Sequence, residues 1–224
     1  FLRDQLHQTV EEAEIAQLHR RASHWFDQNQ LTTEAIRHML ATDDHPAAAR
    51  PAAPVIMDAR AGGEVTTVTG WLDMLPDTLV HSRPRLALGQ AWAIVIFNEW
   101  NRLEAWIPII EQGLASLETS SGPDQAALES MKGELAALRA MLVGNQGQAQ
   151  RAIQLCLEAL ERLPKENVTV HSIISMTLGN AYELAGDFDR AVQCLSRALE
   201  MSKTIDGVTI LLPVVNNLGR IHEE

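Results

Sequence analysis

The sequence feature that most constrains the fold is a recurring pattern of small residues near the C-terminus. Its positions in the clearest copy are Gly179, Tyr182, Ala191 and Ala198. These are the spacings of a tetratricopeptide helix hairpin, in which small residues such as Gly179 and Ala191 let two helix axes approach closely. Between them, Gly186 suits the left-handed conformation that ends a helix, and Asp187 suits the cap of the next. Because one hairpin cannot bury its apolar face alone, the pattern predicts neighbouring hairpins.

The same pattern recurs at regular distances along the chain. Ala152 and Ala159 precede Ala191 and Ala198 by 39 residues, and Gly219 follows Gly179 by 40 residues. These steps are somewhat longer than the roughly 34 residues of a standard tetratricopeptide repeat. We therefore predict stacked hairpins in which Ala152, Ala159, Ala191 and Ala198 all occupy structural positions.

Weaker copies of the pattern precede residue 110. Trp92-Ala93 is followed by Ala105, and Ala22-Ser23 is followed by Ala35. The composition agrees, because 46% of the residues are hydrophobic but only 4% are aromatic, which is too few for a large sheet protein. The sequence predicts an all-α fold, a right-handed superhelical array of antiparallel helix hairpins, or tetratricopeptide-like solenoid.

The local sequence also predicts the individual helices. Pro51 and Pro54 predict a broken helix within residues 45–60, and Pro76 and Pro84 bracket an expected turn. The predicted helices cover residues 1–7, 11–28, 34–41, 64–75, 85–98, 102–117, 125–144, 148–163, 168–185, 188–203 and 208–224.

Charge and residue pattern argue against several classes of function. The net charge of −11 and the lack of a run of Lys and Arg argue against direct binding of nucleic acid. The longest apolar stretch, residues 86–97, is too short to span a membrane. Cys156 and Cys194 are interpreted as buried thiols in a reducing cytoplasm. We expect no enzyme activity, no cofactor and no metal site, since paired metal ligands and catalytic motifs do not occur.

Several motifs resemble one family of bacterial regulators. They are Leu18-His19-Arg20-Arg21-Ala22, Trp25-Phe26, Glu34-Ala35-Ile36-Arg37-His38, Trp71-Leu72-Asp73, Leu75-Pro76, Arg83-Pro84-Arg85-Leu86-Ala87-Leu88 and Ala91-Trp92. They are similar to the effector-sensing region of the MalT/LuxR-type large ATP-binding transcriptional regulators. In that family a superhelix of tetratricopeptide-like repeats lies between a winged helix and a C-terminal helix-turn-helix. No Gly-x-x-x-x-Gly-Lys-Ser/Thr loop and no basic recognition helix occur here, so nucleotide and DNA binding are not carried over.

The resemblance gives a domain division. Residues 1–10 resemble the end of the preceding winged-helix segment, and residues 11–117 hold degenerate repeats. Residues 118–124 form a linker loop, because they include Ser120-Ser121-Gly122-Pro123. Regular repeats follow over residues 125–224. Since the chain begins with Phe1 and stops within a predicted helix, we expect it to be part of a longer protein.

The resemblance implies a sensor that binds a small effector or a regulatory protein and relays the result to other domains. The alternative is a general tetratricopeptide scaffold for protein–protein interaction. In such a solenoid the first helix of each hairpin lines the concave face. Projecting this geometry gives the candidate binding residues Gln90, Asn98, Met141, Asn145, Met176, Asn180, Glu183, Asn216 and Arg220. Apolar residues at Phe1-Leu2 and over 214–221 predict possible self-association.

Overall fold

The chain folds into helices joined by short turns. The computed structural model describes residues 10–29, 31–42, 70, 72, 75–119, 124–203 and 208–223. Within those residues there are ten α-helices and no strand. They are α1 (Glu12–Gln28), α2 (Thr32–Leu40), α3 (Asp77–Ser82), α4 (Pro84–Ile96), α5 (Trp100–Glu118), α6 (Gln125–Asn145), α7 (Ala149–Arg162), α8 (Val168–Leu184), α9 (Phe188–Ser202) and α10 (Val208–Glu223).

The helices pack as consecutive antiparallel pairs. The pairs are α1 with α2, α4 with α5, α6 with α7 and α8 with α9, and α10 packs on α9. The first helices of successive pairs also contact one another, α4 with α6, α6 with α8, and α8 with α10. They therefore form one continuous layer, and the second helices α5, α7 and α9 each also contact the first helix that follows. The predicted all-α array of helix hairpins is confirmed for the described residues.

Small residues make the closest helix contact, between α8 and α9. Gly179 is buried, and a Cβ added there would lie 2.7 Å from Leu195 Cγ and 3.2 Å from the Ala191 carbonyl oxygen. Ala191 and Ala198 are fully buried at the same crossing. The Leu195 side chain packs directly on Gly179, and the α9 backbone lies almost as close, so any residue larger than glycine would clash there.

The α6–α7 pair repeats this arrangement 39 residues earlier. Ala140, Ala152 and Ala159 are fully buried where the two helices cross. At Gly133 an added Cβ would lie 2.8 Å from Leu163 Cγ. The corresponding contact in the next pair is made by Ser172, whose Oγ donates a 3.1 Å hydrogen bond to the Ala198 carbonyl.

Three of the pairs turn through the same backbone motif. At the end of α8, Gly186 N donates to Glu183 O at 2.9 Å and Asp187 N donates to Tyr182 O at 2.9 Å. This is a Schellman motif, which needs one residue in the left-handed region. Gly186 fills that position with φ 78°, and Gly147 and Asn98 fill it after α6 and α4 with φ 79° and 60°. Asp187 then caps α9, because its Oδ1 accepts from Arg190 N at 3.1 Å.

A buried carboxylate joins the α4–α5 pair to the α6–α7 pair. The side chain of Glu134 on α6 is 1% exposed. It accepts a 2.5 Å hydrogen bond from Arg85 Nη1 and a 3.0 Å hydrogen bond from Trp92 Nε1, both on α4. The two donors satisfy a charge that would otherwise be costly to bury. This polar contact holds α6 in register on α4.

Four sequence predictions need correction. The expected turn over 77–84 contains the helix α3, with Val80 buried. Ala105 is exposed, because α5 buries Leu103, Ile110 and Leu114 instead. Val214 was placed in an exposed apolar surface but is fully buried, whereas Leu212 and Val215 are 66% and 51% exposed. Helix α2 begins at Thr32, two residues before the predicted start at residue 34, and Leu31 is its N-cap residue.

Other predictions lie wholly or largely outside the described residues. They concern the segment 1–9, the broken helix within 45–60 and most of the helix over 64–75. In the predicted linker, α5 ends at Glu118, and Asp124 begins α6 by accepting a 3.0 Å hydrogen bond from Ala126 N through Oδ1.

Candidate functional site

A groove of about 250 Å³ lies between the C-terminal ends of α6 and α8. It is lined by Trp100, Met141, Gly144, Asn145, Met176, Thr177, Asn180, Ala181 and Leu184. The structure therefore brings together four of the residues predicted from the sequence, namely Met141, Asn145, Met176 and Asn180. They meet because α6 and α8 are the first helices of successive hairpins. Residues spaced by one helical turn on each of them face the same groove.

The polar side of the groove is built on α8. Asn180 Oδ1 accepts a 2.7 Å hydrogen bond from Asn217 Nδ2 on α10, which fixes the orientation of the amide. One turn earlier, Thr177 Oγ1 donates to the Ile173 carbonyl at 2.9 Å. Thr177 therefore presents an oxygen with free lone pairs, and Asn180 presents its amide nitrogen.

A second contact between α8 and α10 lies one turn beyond the groove. Arg220 Nη2 donates to Glu183 Oε2 at 2.9 Å, and the glutamate side chain is only 13% exposed. Both residues were predicted to face the ligand, but the structure pairs them with each other outside the groove lining. Asn216 is exposed on α10 and is not part of the lining either.

The two remaining predicted residues lie on α4 and at its end, away from this groove. Gln90 is 6% exposed, since residues 86–94 of α4 are covered on all sides by neighbouring helices. Asn98 is exposed and holds the left-handed turn position described above. Its backbone conformation gives asparagine a structural reason to be there, because asparagine tolerates φ near 60° better than most residues.

Sequence reasoning missed several residues of the groove, chiefly Trp100, Thr177 and Leu184. Trp100 begins α5 and reaches the groove from the preceding hairpin, so projection along a single helix does not find it. Leu184 ends α8 and is 56% exposed. An exposed leucine and a half-buried tryptophan next to amides are typical of a binding surface, and only the structure places them together.

Two cysteines and a pair of histidines lie outside the groove. Burial raises the pKa of the Cys156 thiol to about 12, so this cysteine is a poor nucleophile. His19 Nδ1 and His38 Nδ1 are 2.8 Å apart, and burial, followed by the neighbouring His19, lowers the pKa of His38. No group of three or more potential metal ligands occurs among the residues described.

Comparison with known families supports the assignment of this region. Residues 133–224 match the family model described as the MalT-like TPR region. The resemblance predicted from the sequence is confirmed. Apart from Trp100, every residue that lines the groove between α6 and α8 lies within the residues that match this family model. A MalT-like TPR region is a helical-repeat domain rather than a catalytic one.

Curated relatives extend the similarity over most of the chain. The HTH-type transcriptional regulator MalT of Cronobacter sakazakii is 25% identical over 197 residues, which are 86% of this chain and 20% of the relative. MalT of Yersinia enterocolitica is 24% identical over 190 residues, or 85% of this chain and 20% of the relative. The serine/threonine-protein kinase PknK of Mycobacterium tuberculosis is 29% identical over 185 residues, or 81% and 16%. The chain thus spans about a fifth or less of the length of these relatives.

In the described residues no helix is long and apolar enough to cross a bilayer.

Proposed function

We propose that this chain is the sensor segment of a transcriptional regulator and that its effector binds in the groove between α6 and α8. The observation that carries the proposal is the convergence of Asn145 and Asn180 with Met141 and Met176 in one groove of a MalT-like TPR region. Amides offer both a donor and an acceptor, and methionine side chains adapt to an apolar ligand surface.

The contacts of α8 with α10 support a relay from this groove. Asn180 lines the groove and also accepts the hydrogen bond from Asn217. A ligand that hydrogen-bonds to Asn180 competes with or strengthens this bond, and Glu183–Arg220 ties the same two helices one turn further on. Ligand binding therefore changes the free energy of one arrangement of α10 relative to α8, which is what a relay requires.

The proposal places the segment in the cytoplasm and gives it no direct contact with nucleic acid. Cys156 and Cys194 are free thiols, as expected in a reducing compartment. The net charge of −11 disfavours a phosphate backbone. Either a small molecule or a regulatory protein is compatible with this proposal, and self-association stays a prediction.

The test uses the regulator that carries this segment, with a reporter gene under its control. We expect Asn180→Ala to raise the effector concentration for half-maximal response about tenfold, which corresponds to about 1.4 kcal/mol of binding free energy. Asn101→Ala is the matched control, because Asn101 is exposed on α5 and does not line the groove. The melting temperatures of both variants are measured alongside.

An unchanged response in Asn180→Ala, with an unchanged melting temperature, would remove the groove as the effector site. In that case retained binding of a partner protein by the variant would favour the scaffold function.

A further inference from the structure

The groove between α6 and α8 is uncharged. None of its nine lining residues is Asp, Glu, Lys, Arg or His. The carboxylate next to it, Glu183, is already paired with Arg220 and is 13% exposed. A charged ligand that enters the groove would therefore lose hydration without gaining an ion pair, which is strongly unfavourable. The groove should therefore accept uncharged ligands and exclude charged ones.

The polar groups of the groove offer a specific hydrogen-bonding pattern. Among the described residues, the side-chain amide nitrogen of Asn180 donates to no protein acceptor, and neither does that of Asn145. Thr177 Oγ1 uses its hydrogen on the Ile173 carbonyl and remains an acceptor. A donor on Asn180 one helical turn from an acceptor on Thr177 is complementary to a ligand group that carries an acceptor and a donor side by side. A carboxamide is such a group.

The remaining wall of the groove is apolar. Met141 on α6, Met176 on α8 and the Trp100 side chain from the preceding hairpin lie around the same space, and Leu184 lies at its end. Two methionines and a tryptophan suit a flat apolar body, since thioethers and indoles pack well on rings. At about 250 Å³ the groove is slightly smaller than most ligand pockets, which favours a body of about one ring.

We propose that the groove selects an uncharged ligand with a flat apolar body and a carboxamide edge, the edge lying on Asn180 and Thr177. This inference rests on the proposed function, because it names the ligand class of the same groove. It also assigns a role to Asn180 beyond its contact with α10. The amide orientation fixed by Asn217 turns the nitrogen of Asn180 toward the ligand.

The test uses three probes of nearly equal shape, namely benzamide, benzoate and benzamidinium. Their charges are zero, −1 and +1, and each is titrated into the chain while its dissociation constant is measured by saturation-transfer NMR. We expect the dissociation constant of benzamide to be at least about tenfold lower than that of either ion, because only the neutral probe avoids an unpaired charge. Asn180→Leu should abolish this preference for benzamide.

A variant that introduces a charge tests the same selectivity even if the unchanged chain binds the probes weakly. Asn180→Asp has the same shape and still accepts from Asn217, but it places a carboxylate in the groove. We expect this variant to prefer benzamidinium over benzamide, with an unchanged melting temperature. Asn101→Asp adds the same charge on exposed α5 and should leave the order of the three probes unaltered.

The possible failures are distinguishable. Binding of all three probes with equal affinity, lost in Asn180→Leu, would overturn the uncharged ligand class and keep the groove as a site. Binding of none of the probes by either the unchanged chain or Asn180→Asp would overturn the proposed ligand class, whereas the proposed function fails only if Asn180→Ala leaves the effector response of the regulator unchanged.

Discussion

The contact between α8 and α9 and the contact between α4 and α6 hold neighbouring helices together in opposite ways. The first is an apolar contact, in which the Leu195 side chain and the Ala191 carbonyl lie directly on Gly179. The second is a polar contact, in which Glu134 is buried against Arg85 and Trp92. An apolar contact of this kind can recur every 39 residues because it needs only small and apolar side chains. The polar contact needs three matched groups, so it is specific to one place in the array.

A larger side chain at Gly179 should cause the largest loss of stability. We expect Gly179→Leu to lower the free energy of unfolding by about 2–4 kcal/mol through overpacking at the helix crossing. Gly219→Leu is the matched control, because Gly219 lies 40 residues on and a Cβ there meets no atom within 4 Å. Urea unfolding followed by circular dichroism measures both variants. A loss of equal size at the two positions would show that the crossing is not special.

Replacing the buried carboxylate tests the polar contact. Ile173 occupies the position 39 residues after Glu134, so Glu134→Ile makes the two repeats alike. We expect a loss of about 1–3 kcal/mol, because Arg85 loses its acceptor but remains 37% exposed and can still reach water. The double variant Arg85→Met with Glu134→Ile should recover part of this loss, since the unpaired charge is removed.

The same urea assay decides the outcome for the polar contact. If Glu134→Ile alone were as stable as the unchanged chain, the buried ion pair would not hold the α4–α5 pair to α6.

Substitutions in the turns should change the free energy of unfolding least. Asn98 occupies the left-handed position in the turn after α4. Gly147 and Gly186 occupy the equivalent positions in the turns after α6 and α8. We expect Asn98→Gly to raise the free energy of unfolding by about 0.5 kcal/mol and Gly186→Ala to lower it by about 1 kcal/mol. Melting temperatures measured by circular dichroism check both. If both substitutions shifted the melting temperature in the same direction, the two residues would not fill the same left-handed position in their turns.

The regular hairpins were predicted from the sequence almost to the residue. The predicted helices 168–185 and 188–203 are observed as Val168–Leu184 and Phe188–Ser202. Local signals decide these ends, because Gly186 must end one helix and Asp187 caps the next. Helix α3 was missed because a helix of six residues between Pro76 and Pro84 is too short to show a helical period.

The candidate site was only partly predictable. Met141, Asn145, Met176 and Asn180 follow from projecting two helices with a known repeat length. Trp100 does not, because its approach to α6 depends on how two hairpins pack across the segment between α5 and α6. Gln90 shows the opposite error, since its polar side chain suggests exposure, but α4 is buried on nearly every side.

The buried Glu134 also fixes the register in which the helices of the array pack. A carboxylate with two donors fixes the register of the two helices it joins, since a shift of one helical turn, about 5.4 Å, would remove both partners at once. The contact of Glu134 with Arg85 and Trp92 therefore fixes the position of α6 on α4, and the later hairpins stack from α6. A hairpin inserted between α6 and α8 would therefore separate Met176 and Asn180 from Met141 and Asn145, while the contact of Glu134 with α4 would stay in place.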